Sequence, residues 1–107
     1  MNEFKISHNR DKAINFLSMR WNGLLICFLL SGPQRFQTIA SSIGISGRML
    51  SKRLKELERL EIVNREIIPE TPVRIEYSLT EKGLSFEPIL NEIEKWSKKW
   101  GRTTHTI

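Results

Sequence analysis

The chain has 107 residues, of which 39% are hydrophobic and 27% charged, values typical of one globular domain with a modest core. Lys and Arg number 17 against 12 Asp and Glu, and the formal charge of +5 favours an anionic partner such as nucleic acid or an acidic membrane surface. The single cysteine, Cys27, excludes an intrachain disulfide framework. Because the N-terminus lacks a signal-peptide core and the longest apolar run, Leu24 to Leu30, is too short to span a bilayer, we expect a cytoplasmic protein without membrane contact.

The N-terminal half of the chain predicts three helices in succession. The first covers Arg10 to Met19, with Ile14 on its inner side. The second begins near Trp21 and ends at the sequence SGP, whose glycine and proline stop a helix. The third is short, from about Gln37 to Ile43, and Gly44 turns the chain after it.

The stretch ISGRMLSKRLKELERL, Ile45 to Leu60, predicts a fourth helix that Ser46 is placed to cap. At about 100° per residue, its leucines fall on one side and most of its cations on the other. The leucines are Leu50, Leu54 and Leu57, and the opposite cations are Arg48, Lys52, Lys55 and Arg59, while Arg53 lies at the edge of the apolar stripe. A short helix, a glycine turn and a second helix with a basic outer face is the helix-turn-helix arrangement.

After Leu60 the pattern changes to strands. Val63 to Ile68 is rich in β-branched residues and Val73 to Leu79 alternates, so we predict a two-stranded hairpin with the sequence PETP at its tip. Thr80 then caps a last helix that reaches about Trp100, with a kink at Pro88.

The predicted fold is therefore mainly α within the α+β class, a winged helix-turn-helix with terminal dimerisation helices. We expect one domain over residues 1–107, with the helix-turn-helix at 36–60 and the wing at 63–79. The dimerisation segments are expected at 1–20 and 84–102.

Four blocks in this order resemble the HxlR family of winged-helix transcriptional regulators, which is related to the MarR-like group: RWNGLLICFLLSGPQRF, IGISGRMLSKRLKELE, IVNREIIPETPVRIEYSLTEKG and EPILNEIEKW. The resemblance implies a homodimeric DNA-binding repressor or activator whose helix after the glycine turn enters the major groove. Members that sense oxidants typically carry a cysteine before the first helix, where this chain reads KISHNRDKA. Cys27 lies instead in an apolar helix, where we expect it to be buried and inert.

The basic helix supplies most of the candidate DNA contacts. Residues in its N-terminal half are expected to reach base edges and those farther along to meet phosphates, while the wing and the start of the third helix contact the backbone. The candidates are Arg35, Gln37, Ser46, Gly47, Arg48, Ser51, Lys52, Lys55, Arg59, Arg65 and Arg74. The alternative is that the basic side is a solvated surface and that Arg74 is only an exposed strand residue, paired with Glu76 or with nothing.

The last helix carries an apolar stripe that is long for so small a domain, and we expect it to pack against a second chain. The candidate dimer residues are Phe4, Ile6, Phe16, Phe86, Ile89, Leu90, Ile93, Trp96 and Trp100, although the first part of the stripe could instead complete the chain's own core. A twofold dimer presents two recognition helices to successive major grooves. The operator should then be a near-palindrome with half-sites about 10 base pairs apart or a multiple of that.

Three classes of function compete for this sequence. A sequence-specific transcriptional regulator on double-stranded DNA is favoured over a winged-helix module that binds proteins and whose basic side is merely solvated. An enzyme is disfavoured because no phosphate-binding glycine loop, nucleophile set or metal constellation is present, so we expect no cofactor and no metal. A small-molecule effector between the DNA-binding core and the dimer helices stays open, with no residue set that identifies one.

Overall fold

A computed structural model describes residues 7–101 of the chain, and within this range it contains six helices and three strands. In chain order these are α1 (His8–Ser18), α2 (Asn22–Leu29), β1 (Gln34–Arg35), α3 (Phe36–Ile43), α4 (Gly47–Arg59), β2 (Val63–Ile68), β3 (Arg74–Leu79), α5 (Glu81–Leu84) and α6 (Glu87–Trp100). None of the helices within 7–101 has the length and apolar character that crossing a membrane requires.

The helix-turn-helix formed by α3 and α4 is confirmed. Gly44 ends α3 in the left-handed conformation, with φ of 78°, and its N–H donates to the carbonyl of Ala40. The hydroxyl of Ser46 then accepts a hydrogen bond from the N–H of Met49 at 3.1 Å, which caps α4. A glycine turn and a serine cap therefore fix where one helix stops and the next begins.

The sheet has three strands rather than the two that the sequence predicts. β2 and β3 form the expected antiparallel hairpin, with Val63 opposite Leu79 and Ile68 opposite Arg74. β1 pairs with the other side of β3, so the strand order is β1-β3-β2 and Gln34 lies opposite Tyr77. The prediction was wrong here because a two-residue strand between a proline and a helix is too short to show alternation.

The predicted last helix is two helices. Thr80 caps the short α5, the chain turns at Ser85 and Phe86, and α6 begins with Pro88 in its first turn. Proline has no N–H to donate inside a helix but is well tolerated in a first turn, so the helix restarts there instead of kinking.

The core lies between α2, α3, α4 and the start of the hairpin. Its buried apolar side chains are Leu25, Ile26, Leu29, Ile39, Ile45, Leu50, Leu54, Leu57, Ile62, Val63 and Leu79. α1 contributes no buried residue, and Ile14, expected on its inner side, is 59% exposed. Phe16 of α1 stacks on Phe86, with ring centroids 5.4 Å apart. The N-terminal helix therefore lies on the surface of this core rather than inside it.

Candidate nucleic-acid interface

One side of α4 is buried and the opposite side carries free cations. Its three leucines are at most 1% exposed, whereas Arg48, Lys52 and Lys55 are exposed. None of the ion pairs found within residues 7–101 involves any of these three cations. The helix therefore presents a basic surface, named here the α4 basic surface, that consists of Arg48, Lys52, Lys55 and Arg59.

Arg59 is the paired member of this surface. Its Nε donates to Glu56 Oε1 at 3.0 Å and its Nη2 donates to Glu56 Oε2. The hydrogen bonds from Arg59 hold the pKa of the Glu56 carboxyl below its usual range, and the same contacts raise the pKa of Arg59. Exposed ion pairs of this kind contribute little to the free energy of folding, so a phosphate can replace Glu56 as the partner of Arg59 with little loss of stability.

Arg53, the fifth cation of the helix, does not belong to the α4 basic surface. It is only 8% exposed, and its Nε and Nη2 have no hydrogen-bond partner among residues 7–101. Its place at the edge of the leucine stripe turns it toward the protein. Arg53 is therefore not available for contact with DNA in the way that the exposed cations of α4 are.

The wing holds its two arginines in different ways. Arg74 Nη1 lies 3.1 Å from Glu70 Oε2, and its Nε lies 3.0 Å from Glu76 Oε2 in a geometry that makes an ion pair rather than a hydrogen bond. The pairing with Glu76, weighed above as the alternative to DNA contact, is therefore present. Arg65 is exposed on β2. A phosphate contact from Arg74 would first have to displace two carboxylates.

The remaining candidates surround the start of α3 and α4. Arg35 lies in β1 and not in the helix, and it lines an open cleft of about 480 Å³ together with Gln37 and Arg74. Ser46 and Gly47 are exposed at the start of α4, while Ser51 is half-buried. The wing tip and the start of α3 therefore lie on two sides of the same cleft. The sequence did not indicate this proximity, because the strand β1 that pairs with β3 was not recognised.

The candidate dimer residues divide into two groups. Ile89, Ile93, Trp96 and Trp100 form a stripe along α6, named here the α6 stripe, that is 47–61% exposed. Phe86 and Leu90 are half-buried against the core, as is Phe16, while Phe4 and Ile6 lie outside the described residues. Sequence reasoning missed two further exposed apolar side chains, Met19 and Leu24, which line a cleft together with Leu90 and Ile93.

Cys27 is exposed, so the prediction of a buried thiol was wrong. The reason is that α2 is apolar on nearly all sides, and periodicity cannot say which of them faces outward. Partial burial among its neighbours, and then the charge of Glu94, raises the pKa of this thiol.

Within residues 7–101, no group of three or more His, Cys, Asp or Glu side chains is arranged to hold a metal ion.

Comparison with known proteins agrees with this geometry. The model of the HxlR-like helix-turn-helix family matches residues 16–105. The chain is 52% identical over 101 residues, 94% of either chain, to YvaP, an uncharacterized HTH-type transcriptional regulator of Bacillus subtilis (strain 168).

Solved structures show the same likeness. The reduced form of the transcriptional regulator YodB from B. subtilis matches with a TM-score of 0.83 and 42% identity, over 92% of this chain and 97% of that one. The redox regulator HypR in its oxidized form matches with a TM-score of 0.76 and 33% identity, over 85% of this chain and 95% of that one. The resemblance and the winged-helix fold inferred from the sequence are confirmed, YvaP and YodB are named as transcriptional regulators, and the chain belongs to the HxlR-like helix-turn-helix family.

Proposed function

We propose that this protein is a sequence-specific transcriptional regulator that binds double-stranded DNA as a homodimer on a near-palindromic operator. The α4 basic surface carries the proposal, because it lies exposed on the second helix of a helix-turn-helix and its first three cations have no ion-pair partner within residues 7–101. The naming of the relatives as transcriptional regulators supports the same function.

In this proposal α4 enters the major groove with its N-terminal end foremost. Gly47 permits close approach, and Arg48, Ser51 and Lys52 contact base edges, where arginine can bind guanine bidentately. Lys55 and Arg59 neutralise phosphates and release counterions.

The cleft beside α3 and the wing supply the flanking backbone contacts. Arg35, Gln37 and the exposed N-terminal end of α4 at Ser46 contact phosphates on one side. Arg65, and Arg74 once it exchanges its carboxylate partners for phosphate, contact them from the wing.

Homodimer formation is assigned to the α6 stripe. Four half-exposed apolar side chains in a row on one helix form a surface that a second copy can bury. Within α6, Lys95 pairs with Glu92 at 3.2 Å and Lys98 pairs with Glu94 at 3.7 Å, so these charges do not oppose close packing of a second copy.

No effector is part of the proposal. YodB has been solved in reduced, diamide-treated and quinone-bound forms. In this chain the only thiol is Cys27, whose raised pKa disfavours the reactive thiolate.

The proposal is tested by selecting duplexes from a random-sequence pool and measuring affinity for the selected duplex and for a scrambled one against salt concentration. We expect a steep log–log decrease of affinity with salt.

Arg48→Ala should lose about 1–3 kcal/mol of discrimination between the two duplexes, whereas Lys55→Ala should weaken binding to both equally and make the salt slope shallower by about 1. Lys98→Ala, a matched change of an exposed lysine on α6, should leave both unchanged. If Arg48→Ala and Lys55→Ala both bind like the parent, α4 is not the recognition helix and a protein-binding module becomes the better assignment.

A further inference from the structure

The turn from α4 into β2 holds an unfavourable backbone conformation. The N–H of Glu61 donates to the carbonyl of Glu58 at 3.0 Å, and the N–H of Ile62 donates to the carbonyl of Leu57 at 2.9 Å. This pair of bonds is the Schellman ending, whose left-handed residue is usually glycine. Here that residue is Glu61, with φ of 61°. A non-glycine residue stays in this conformation only where its surroundings enforce it.

The surroundings that enforce it come from the start of α5. Lys82 Nζ donates to the carbonyl of Leu60 at 2.8 Å, and Thr80 Oγ1 donates to the carbonyl of Glu61 at 2.6 Å. The N–H of Thr80 donates to the carbonyl of Ile62 at 3.0 Å. Three consecutive carbonyls at the end of α4 are thus bound, one of them by an ammonium group that also favours the negative end of the helix dipole.

The contact between α5 and this turn leaves no room for a side chain. Gly83 is buried, and a methyl group added to it would overlap the carbonyl oxygen of Ile62. The N–H of Gly83 also donates to Thr80 Oγ1 at 3.0 Å, which holds the threonine hydroxyl in place.

The other end of α5 is continuous with the surface assigned to the dimer. Phe86 directly precedes α6, and its ring stacks on Phe16 of α1. We propose that Thr80, Lys82 and Gly83, named here the α5 clamp, fix the tilt of α4 relative to α6. The clamp thereby determines the half-site spacing that a dimer can span. This inference rests on the proposed function.

Lys82→Met tests the clamp, because it keeps an exposed side chain of similar length and removes the donor. Affinity is measured for the duplex that the parent selects and for versions with one base pair added or removed between half-sites. The parent should prefer its selected spacing. In Lys82→Met, the ratio of affinities for the selected and the altered spacings should be about fivefold smaller, while the salt slope and the dimeric state stay unchanged. Lys82→Arg, which keeps a donor, should restore the preference, and Lys98→Met should behave like the parent.

A retained spacing preference in Lys82→Met would overturn the proposal. So would a salt slope shallower by about 1, since Lys82 would then be a phosphate contact. A measurement without DNA separates this outcome from failure of the proposed function: amide exchange at Leu60, Glu61 and Ile62 should become faster in Lys82→Met and not in Lys98→Met. If the parent selects no duplex, the proposed function fails, while unchanged exchange in Lys82→Met rejects the clamp by itself.

Discussion

The thiol of Cys27 lies exposed on α2, and its pKa is raised by partial burial and by the neighbouring charge of Glu94. A raised pKa favours the protonated thiol at neutral pH, and the thiolate is the form that reacts. Exposure therefore does not make this residue reactive. A reagent can reach the sulfur, but at neutral pH only a small fraction of the thiol is ionised.

We predict slow alkylation of Cys27 by iodoacetamide at neutral pH, with a rate that reaches half of its maximum only above about pH 8.5, where an ordinary cysteine is half ionised. The rate is followed by mass spectrometry over a pH series, with glutathione as the reference thiol and Cys27→Ser as the unreactive control. A plateau reached near neutral pH would show that the pKa is lowered and would reopen a sensing role.

The strain at Glu61 belongs to the scale of secondary-structure elements, because it lies where α4 ends and β2 begins. Glycine adopts the left-handed conformation without a steric penalty, and removing a carboxylate from the negative end of a helix is also favourable. The C-terminal end of α4 is therefore less stable with Glu61 than it would be with glycine in the same hydrogen-bonded turn.

We predict that Glu61→Gly raises the free energy of unfolding by about 0.5–1 kcal/mol, measured by urea denaturation at fixed protein concentration. Glu58→Gly, three residues earlier inside the helix, serves as the control and should lower it by about 1 kcal/mol. A decrease for Glu61→Gly would mean that the Glu61 side chain makes contacts that outweigh the backbone strain.

At the scale of the whole molecule, we propose that the α6 stripe forms the dimer interface. The combined substitution Ile93→Glu and Trp96→Glu puts two carboxylates into the proposed interface and should give monomers in sedimentation velocity, with helical content retained. Affinity for the selected duplex should then fall, because the two half-sites are no longer bound by one linked pair. Asn91→Glu with Lys95→Gln makes the same change of net charge on other positions of α6 and should leave the dimer intact. A dimer that survives the stripe substitutions would place the interface elsewhere.

Much of the fold could be predicted from the sequence because the decisive signals are local. The leucine period of α4, the glycine and serine that separate it from α3, and the alternation of β3 each depend on neighbouring residues only. The exposure of Arg48, Lys52 and Lys55 also follows from that period, since they lie opposite buried leucines.

The remainder depends on contacts between distant parts of the chain, which periodicity does not report. β1 exists because Gln34 and Arg35 lie beside β3, and Arg74 is paired because the hairpin tip brings Glu70 within reach. Cys27 was misplaced because an all-apolar helix gives no indication of its outer side. The contacts of Lys82 join residues 22 positions apart and had no sequence signal of their own.

The third strand has a mechanical consequence for the wing. β1 pairs with β3 at Glu76 and Tyr77 and runs directly into α3 at Phe36, so the base of the hairpin is anchored on both sides. Beyond Glu76 toward the tip, β2 is the only strand paired with β3 among residues 7–101. We therefore expect the base of the wing to be stiff and its tip to be more flexible. In the proposed complex with DNA, we expect the tip to adjust to groove width, while the anchored base of the hairpin moves together with the helix-turn-helix.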